Sequence, residues 1–192
     1  MDAQKLQHSQ YLNDHFLIAA PSLHDPNFSR GVTLICQHTA EGAMGLVVNR
    51  LSDYRLGDVL EQMKIEATVP GVADAPVLLG GPVQQERGFV LHDPGGQWDS
   101  TFVVSPQISL TTSRDILVAM AQGKGPARAV VALGYAGWTE GQLESELSEN
   151  AWLTVPADTE IVFRTPIPER WMAAARLMGV DLRFMTDYSG HA

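Results

Sequence analysis

Short β-rich runs interrupted by single amphipathic helices, with no strict alternation of the two, constrain this chain more than any single motif does. The β-type runs fall at residues 16–20, 32–38, 44–49, 76–79, 88–92, 101–104, 108–110, 127–133, 152–155 and 160–163. Helical spacing appears at 56–63, from 112 to Gly123, after Thr139, and from Pro168 onward. A doubly wound parallel sheet needs a crossover, usually a helix, between successive strands, and most of these runs have none. The order therefore implies an α+β fold: one mixed, strongly curled sheet with three to four short helices. No repeat or linker divides the 192 residues, so a single domain is expected, with residues 1–12 and 186–192 loose.

Local chemistry sharpens several of these elements. The runs at 32–38 and 44–49 read as a hairpin, with Gly42 supplying a positive φ in the loop. A period of two places Val32, Leu34, Cys36 and His38 on one face, and both faces are apolar near the start. This strand should be covered on both sides and emerge into solvent at Gln37 and His38. Leu56, Val59, Leu60 and Met63 follow the i, i+3, i+4, i+7 rule of a two-turn helix. Thr112 with Asp115 reads as a cap for a helix that buries Ile116, Leu117 and Met120. In the stretch 132–152 a buried strand should break at Gly134 and Gly137 and turn on Trp138. A short helix should then start at Thr139, through a Thr139/Gln142 capping box, and bury Leu143, Leu147 and Ala151. The last helix should point Trp171, Met172, Ala175 and Met178 inward and stop before Gly179.

Composition narrows the function classes. Acidic residues outnumber basic ones 22 to 13, a net charge of −9, which disfavours direct contact with a phosphate backbone. Arg164, Arg170, Arg176 and Arg183, around the C-terminal helix, read as solvated charges rather than one basic face. No apolar run approaches the ~20 residues of a membrane helix, so no membrane role is expected. The lone Cys36 and an N-terminus without a basic-then-apolar pattern fit the cytoplasm. Cys36 reads as core rather than nucleophile, and the six histidines show no metal-ligand spacing. Phosphate-loop, dinucleotide and serine-hydrolase motifs are missing, so neither cofactor nor metal is expected.

What remains is a set of polar turns. Thr111, Thr112, Ser113 and Arg114 gather three hydroxyls and a guanidinium at a helix start, where capping and anion contact are both open. Arg87, after the Gly80-Gly81 turn, has the same two readings.

Several motifs occur in a fixed order: His15-Phe16-Leu17-Ile18-Ala19, Gly42-Ala43-Met44-Gly45-Leu46-Val47-Val48-Asn49, Leu79-Gly80-Gly81-Pro82, Arg87-Gly88-Phe89-Val90-Leu91-His92, residues 111–115, residues 132–153, and Gly179-Val180-Asp181 with the terminal Gly190-His191-Ala192. As a set they resemble the AlgH/YqgE family of bacterial proteins. The resemblance spans residues 13–192 and implies a compact α+β fold with a bifurcated, barrel-like sheet. Leu51 departs from the proline that often follows Asn-Lys/Arg in that family. Some members are named transcriptional regulators, and the family supplies no catalytic residues to carry over. The leading expectation is a non-enzymatic binding protein for a protein or small-molecule partner, with an indirect regulatory effect. Its candidate contact residues are Asn49, Gly80, Gly81, Arg87, Thr111, Thr112, Ser113, Arg114 and Trp138. The alternatives are an enzyme of unrecognised type, with a site where the Gly80, Thr111 and Gly134 turns converge, and a direct DNA-binding regulator. The acidic charge and the absence of a helix-turn-helix pattern count against the last.

Overall fold

One strand, β9 (Ala129–Thr139), joins the two halves of the sheet. Along one edge it pairs antiparallel with β6 (Val83–His92), from Gly88↔Leu133 to His92↔Ala129. Its other edge is shared. The first half takes β5 (Pro76–Leu79) in parallel, Val77↔Val131 to Leu79↔Leu133, and the second half takes β3 (Gly42–Val47) antiparallel, Gly45↔Ala136 to Gly42↔Thr139. The sheet thus forks at Gly134. The computed structural model that shows this describes residues 11–181, so the expected loose tail, Arg183 and the Gly190-His191-Ala192 motif lie outside the described residues.

The break expected at Gly134 is corrected by this pairing. Gly134 has φ 76°, but hydrogen bonding resumes on both edges beyond it, so the glycine bends the strand without ending it. The conformation permits a close crossing. A Cβ on Gly134 would lie 2.5 Å from the Gly81 carbonyl oxygen, and one on Gly81 (φ 159°) would lie 2.1 Å from the Tyr135 carbonyl carbon. Trp138 is consequently a buried strand residue and not a turn. The next helix starts at Gln142, after a left-handed Gly141. Half of the expected capping box survives, since the Thr139 amide and hydroxyl both donate to Gln142 Oε1 (3.1 and 3.3 Å).

From β3 the sheet continues through β2 (Val32–Thr39) and β1 (His15–Ala19) to β10 (Trp152–Pro156). From β6 it continues through β8 (Ile108–Thr111) to β7 (Thr101–Ser105), and the whole curls as a half-barrel. A further strand, β4 (Leu51–Arg55), pairs with β5 only at Leu51↔Leu78 and Arg55↔Pro76. It carries no apolar alternation because it is an exposed edge. Among the described residues, five helices accompany the sheet: α1 (Leu56–Gln62), α2 (Arg114–Ala121), α3 (Gln142–Ser148), α4 (Thr159–Phe163) and α5 (Arg170–Arg176).

Helix α4 replaces the strand expected at 160–163. An apolar run this short carries no decisive period, and the deciding residue is Asp158, whose carboxylate accepts the Glu160 amide (2.8 Å) as an N-cap. Helix α5 also differs in its facing. Ala174 and Ala175 are fully buried, Met178 is exposed, and Pro168 belongs to a single 3-10 turn, Ile167–Glu169, that precedes it. Arg170 is 5% exposed, not a solvated charge, and donates to the carbonyls of Val48 (2.6 Å) and Thr165 (2.8 Å).

Three apolar clusters among the described residues follow from this layout. The largest lies on one face of the sheet, around Phe16, Leu34, Leu46, Leu91 and Ile108, and is covered by α4 and α5. On the opposite face, α1 and α2 pack over Val77, Val90, Val131 and Leu133, and α3 packs over Leu17, Ile35, Trp138 and Trp152. The hairpin of β2 and β3 forms as expected, with Gly42 at φ 138°. A bulge between Ile35 and Gln37 then reverses the facing of the residues that follow. Cys36 stays with Leu34 in the largest cluster, whereas His38 sits opposite Ala43 on the α3 side. His38 is 3% exposed, so neither its emergence into solvent nor its shared face with Cys36 holds.

Candidate functional site

The face of the sheet between α1 and α2 is incompletely filled, leaving a cleft of about 540 Å³. Its floor is built by strand alternation. Gly88 and Val90 of β6, Thr111 of β8 and Val131 and Leu133 of β9 line it. The walls come from the helices. Val59, Gln62 and Met63 of α1 and its C-cap face Leu117 of α2, with Tyr54, Gln85 and Glu86 also lining the cleft. Val59 and Met63 are only half-buried, although they belong to the apolar stripe of α1.

The start of α2 closes one end. The N-cap is Ser113, not Thr112 as expected, because Ser113 has the extended backbone (φ −86°, ψ 153°) that precedes the helix. Its hydroxyl donates to Asp115 Oδ1 (2.5 Å) and accepts the Ser100 amide (3.0 Å). Asp115 also accepts the amides of Asp99 (2.8 Å) and Ile116 (2.9 Å). Partial burial opposes ionisation of this carboxyl, but the Ser113 hydroxyl and the two amides outweigh it and hold it below the ordinary aspartate value. Exposed Arg114 is tied across the cleft, one Nη2–H donating to the Met63 carbonyl at 3.2 Å. That bond occupies one of five guanidinium donors, and Thr112 stands exposed beside it.

Thr111 connects the floor to a buried polar chain. His92 Nδ1 faces the Asp93 carbonyl (2.7 Å) and must donate there, so a neutral ring accepts the Thr111 hydroxyl at Nε2 (2.7 Å). The Thr101 hydroxyl lies 2.8 Å from the same oxygen. This is the geometry of a hydroxyl next to a base, but Thr111 is fully buried and His92 1% exposed. The chain therefore serves as an internal strut joining β6, β7 and β8.

The structure brings Thr111, Thr112, Ser113 and Arg114 together in the cleft and disperses the other candidates. Gly80 and Gly81 meet Gly134 and Tyr135 backbone to backbone, with the Gly80 amide donating to the Leu133 carbonyl (2.7 Å). The Gly80 and Gly134 turns thus converge without Thr111 and with no space between them. Asn49 joins β3 to the start of β2, accepting the Val32 amide and donating to the Arg30 carbonyl (both 2.8 Å). Arg87 is exposed over the Phe89 ring (5.3 Å), and Trp138 packs edge-on to Trp152 beneath α3. Tyr54, Gln62, Gln85 and Gly88 escaped the sequence reading, although a glycine inside a β-run is itself a signal of close backbone approach.

Fold and cleft together define a class: a one-domain α+β protein with a forked half-barrel sheet and a preformed cleft between two helices on one of its faces. The chain belongs to the AlgH-like family, whose model matches residues 16–183. A UPF0301 protein of Stenotrophomonas maltophilia is 59% identical over 180 residues, covering 94% of this chain and 96% of the relative. Among solved structures, that of the AlgH protein from Pseudomonas aeruginosa is similar, with a TM-score of 0.79 and 49% identity over 95% of this chain and 97% of that one. A protein of Corynebacterium diphtheriae shares the fold, with a TM-score of 0.69 and 20% identity over 92% of this chain and 94% of its own.

Proposed function

We propose that this protein is a cytoplasmic binding protein that takes a small organic ligand in the cleft between α1 and α2, and that any regulatory effect follows from occupancy of that cleft. The observation that carries this reading is the cleft itself. Its volume of about 540 Å³ lies within the range of small-molecule sites, roughly 300–1,000 Å³. Its floor is mainly apolar, and Arg114, Thr112, Gln62 and Gln85 around it can orient a ligand. Half-buried Val59 and Met63 retain apolar surface that a ligand would cover. The net charge of −9 argues against a direct DNA regulator.

The test is an amide-shift titration of the full chain against a panel of small organic acids, alcohols and amines. The expected result is saturable shifts centred on Val59, Met63, Leu117 and Val131. Leu117→Trp, which fills the cleft from one wall, should abolish them while the protein remains folded. Shifts confined to other surfaces, or shifts that persist in Leu117→Trp, would refute the reading.

A further inference from the structure

Gly88 is a glycine that the fold does not require. It lies within β6, paired with Leu133, and its φ is outside the left-handed region. A Cβ built on it meets nothing within 4 Å. The other described glycines either adopt a positive φ or would place a Cβ 3.5 Å or closer to a neighbour. Any β-branched residue would suit this strand position better, yet the side chain is missing at the floor of the cleft. What the glycine creates is a flat strip of peptide, bordered on the floor by Val90, Thr111 and Leu133.

The charges narrow the ligand further. Among the described residues, Arg114 is the only cation lining the cleft, its guanidinium tied to Met63 by one bond, with donors left to form a two-point contact with a carboxylate. Glu86 also lines the cleft, and Asp115 already places a carboxylate at the start of α2. A multiply charged phosphate would be repelled by Glu86 in the cleft and by Asp115 one residue beyond Arg114, whereas a singly charged carboxylate at Arg114 meets less of that repulsion.

We propose that the cleft selects a planar aromatic monocarboxylate, its ring laid on the Gly88 peptide and its carboxylate held by Arg114. This rests on the cleft being the binding site, and it adds the ligand class and the two residues that set it.

The probe is 2-naphthoate, titrated by amide shifts against the wild-type chain, with 2-naphthalenemethanol, decanoate and 2-naphthyl phosphate as comparisons. The expected result is saturable binding of 2-naphthoate at the cleft, with 2-naphthalenemethanol weaker by about tenfold or more, the scale of one charge-assisted contact, and decanoate and 2-naphthyl phosphate also weaker. Gly88→Val should abolish binding with an unchanged or raised unfolding midpoint, and Gly88→Ala should weaken it with the fold equally intact. Arg114→Gln should weaken 2-naphthoate about tenfold and leave 2-naphthalenemethanol unaffected. Equal binding of all four probes, or binding that survives in Gly88→Val, overturns the ligand class but leaves the cleft as a binding site. Wild-type protein that shows no cleft shifts with any of the four overturns the ligand class, and no cleft shifts with the wider panel of acids, alcohols and amines overturns both.

Discussion

His38 Nε2 donates to Glu144 Oε1 at 2.6 Å, joining strand β2 to helix α3 across 106 positions of chain. The opposite ring nitrogen, Nδ1, accepts the Leu12 amide at 3.0 Å. An amide can only donate, so Nδ1 is the accepting nitrogen and Nε2 is the one that carries a proton toward Glu144. The Tyr11 ring stands edge-on at 5.2 Å. One imidazole therefore fastens both the N-terminal segment and α3 to the bulged end of β2, where sequence alternation expects a solvent-facing residue.

His38→Ala should destabilise the protein by about 2 kcal/mol, because it removes a buried side chain and leaves the Leu12 amide without its acceptor. Urea unfolding measures the loss, and hydrogen exchange should show residues 11–14 opening faster. A loss below about 0.5 kcal/mol would mean that the tether carries no weight.

The acid response of Glu144 has a definite sign. Burial disfavours its charged form, but its own backbone amide and the His38 N–H outweigh that and keep its carboxyl below the ordinary glutamate value. A depressed carboxyl contributes stability that is complete above the unfolded pKa, about 4.3, and is lost as pH falls through the lower folded value. Glu144→Gln keeps an acceptor for His38 without the charge, so its stability should fall less steeply than wild type below about pH 4.3. The side chain is 48% exposed, so solvent screening keeps the difference small. Parallel urea melts at several acid pH values, compared with pH 7, give the answer.

Cys36 should be inert in the native protein. Burial, and secondarily the charge of Asp14, push its thiol up to about 12, and Sγ is turned to the Leu34 carbonyl (3.7 Å). Labelling by a disulfide reagent at pH 8 should proceed only as fast as the chain opens and should accelerate with denaturant. Rapid labelling without denaturant would contradict the core assignment.

Much of the fold is legible in the sequence, and what is not has physical causes. The hairpin of β2 and β3 is readable because Val32, Leu34 and Ile35 favour an extended chain and Gly42 marks the turn. Helix α1 is readable from Leu56, Val59, Leu60 and Met63, but periodicity cannot say that Val59 and Met63 stop half-buried at a cleft. Residues 160–163 mislead because a run with only three apolar residues, Ile161 to Phe163, fits strand and helix equally, and Asp158 decides between them. Strand β4 is hidden because an exposed edge carries no apolar alternation. Of the site, only Thr111 to Arg114 shows itself locally. The other side of the cleft is brought in by pairings between segments distant in sequence.

Arg170 should tolerate neither truncation nor lysine. Burial lowers its guanidinium pKa to about 10, still well above neutral pH, so the group is charged while it satisfies the Val48 and Thr165 carbonyls. Lysine keeps the charge but offers one ammonium in place of a planar fork with two separated donors. Arg170→Lys should therefore cost about 2 kcal/mol and Arg170→Ala about 3 kcal/mol, through unpaired carbonyls and lost packing of α5 on the sheet. Thermal unfolding ranks the two. Equal stability of wild type and Arg170→Lys would show that charge alone suffices.

The fork at Gly134 makes the strongest demand on residue identity. At most positive-φ glycines a substitution strains one residue, but here two chains cross with a Cβ excluded from each. Gly81→Ala must displace the Tyr135 carbonyl, and Gly134→Ala must displace the Gly81 carbonyl, with Gly134 also held at φ 76°. Either change would part β9 from the turn that follows β5, which also supports β3 through the Val47 amide on the Gly80 carbonyl (2.8 Å). Each should cost roughly 3 kcal/mol or more. Because both remove the same contact, the double variant should cost less than the sum of the two. Gly141→Ala is the control: its φ of 74° is equally left-handed, but nothing lies within 4 Å of an added Cβ, so only about 1 kcal/mol of backbone strain is expected. A Gly141 penalty as large as that of Gly134 would assign the whole effect to φ and none to the crossing, and additive losses at Gly81 and Gly134 would lead to the same conclusion.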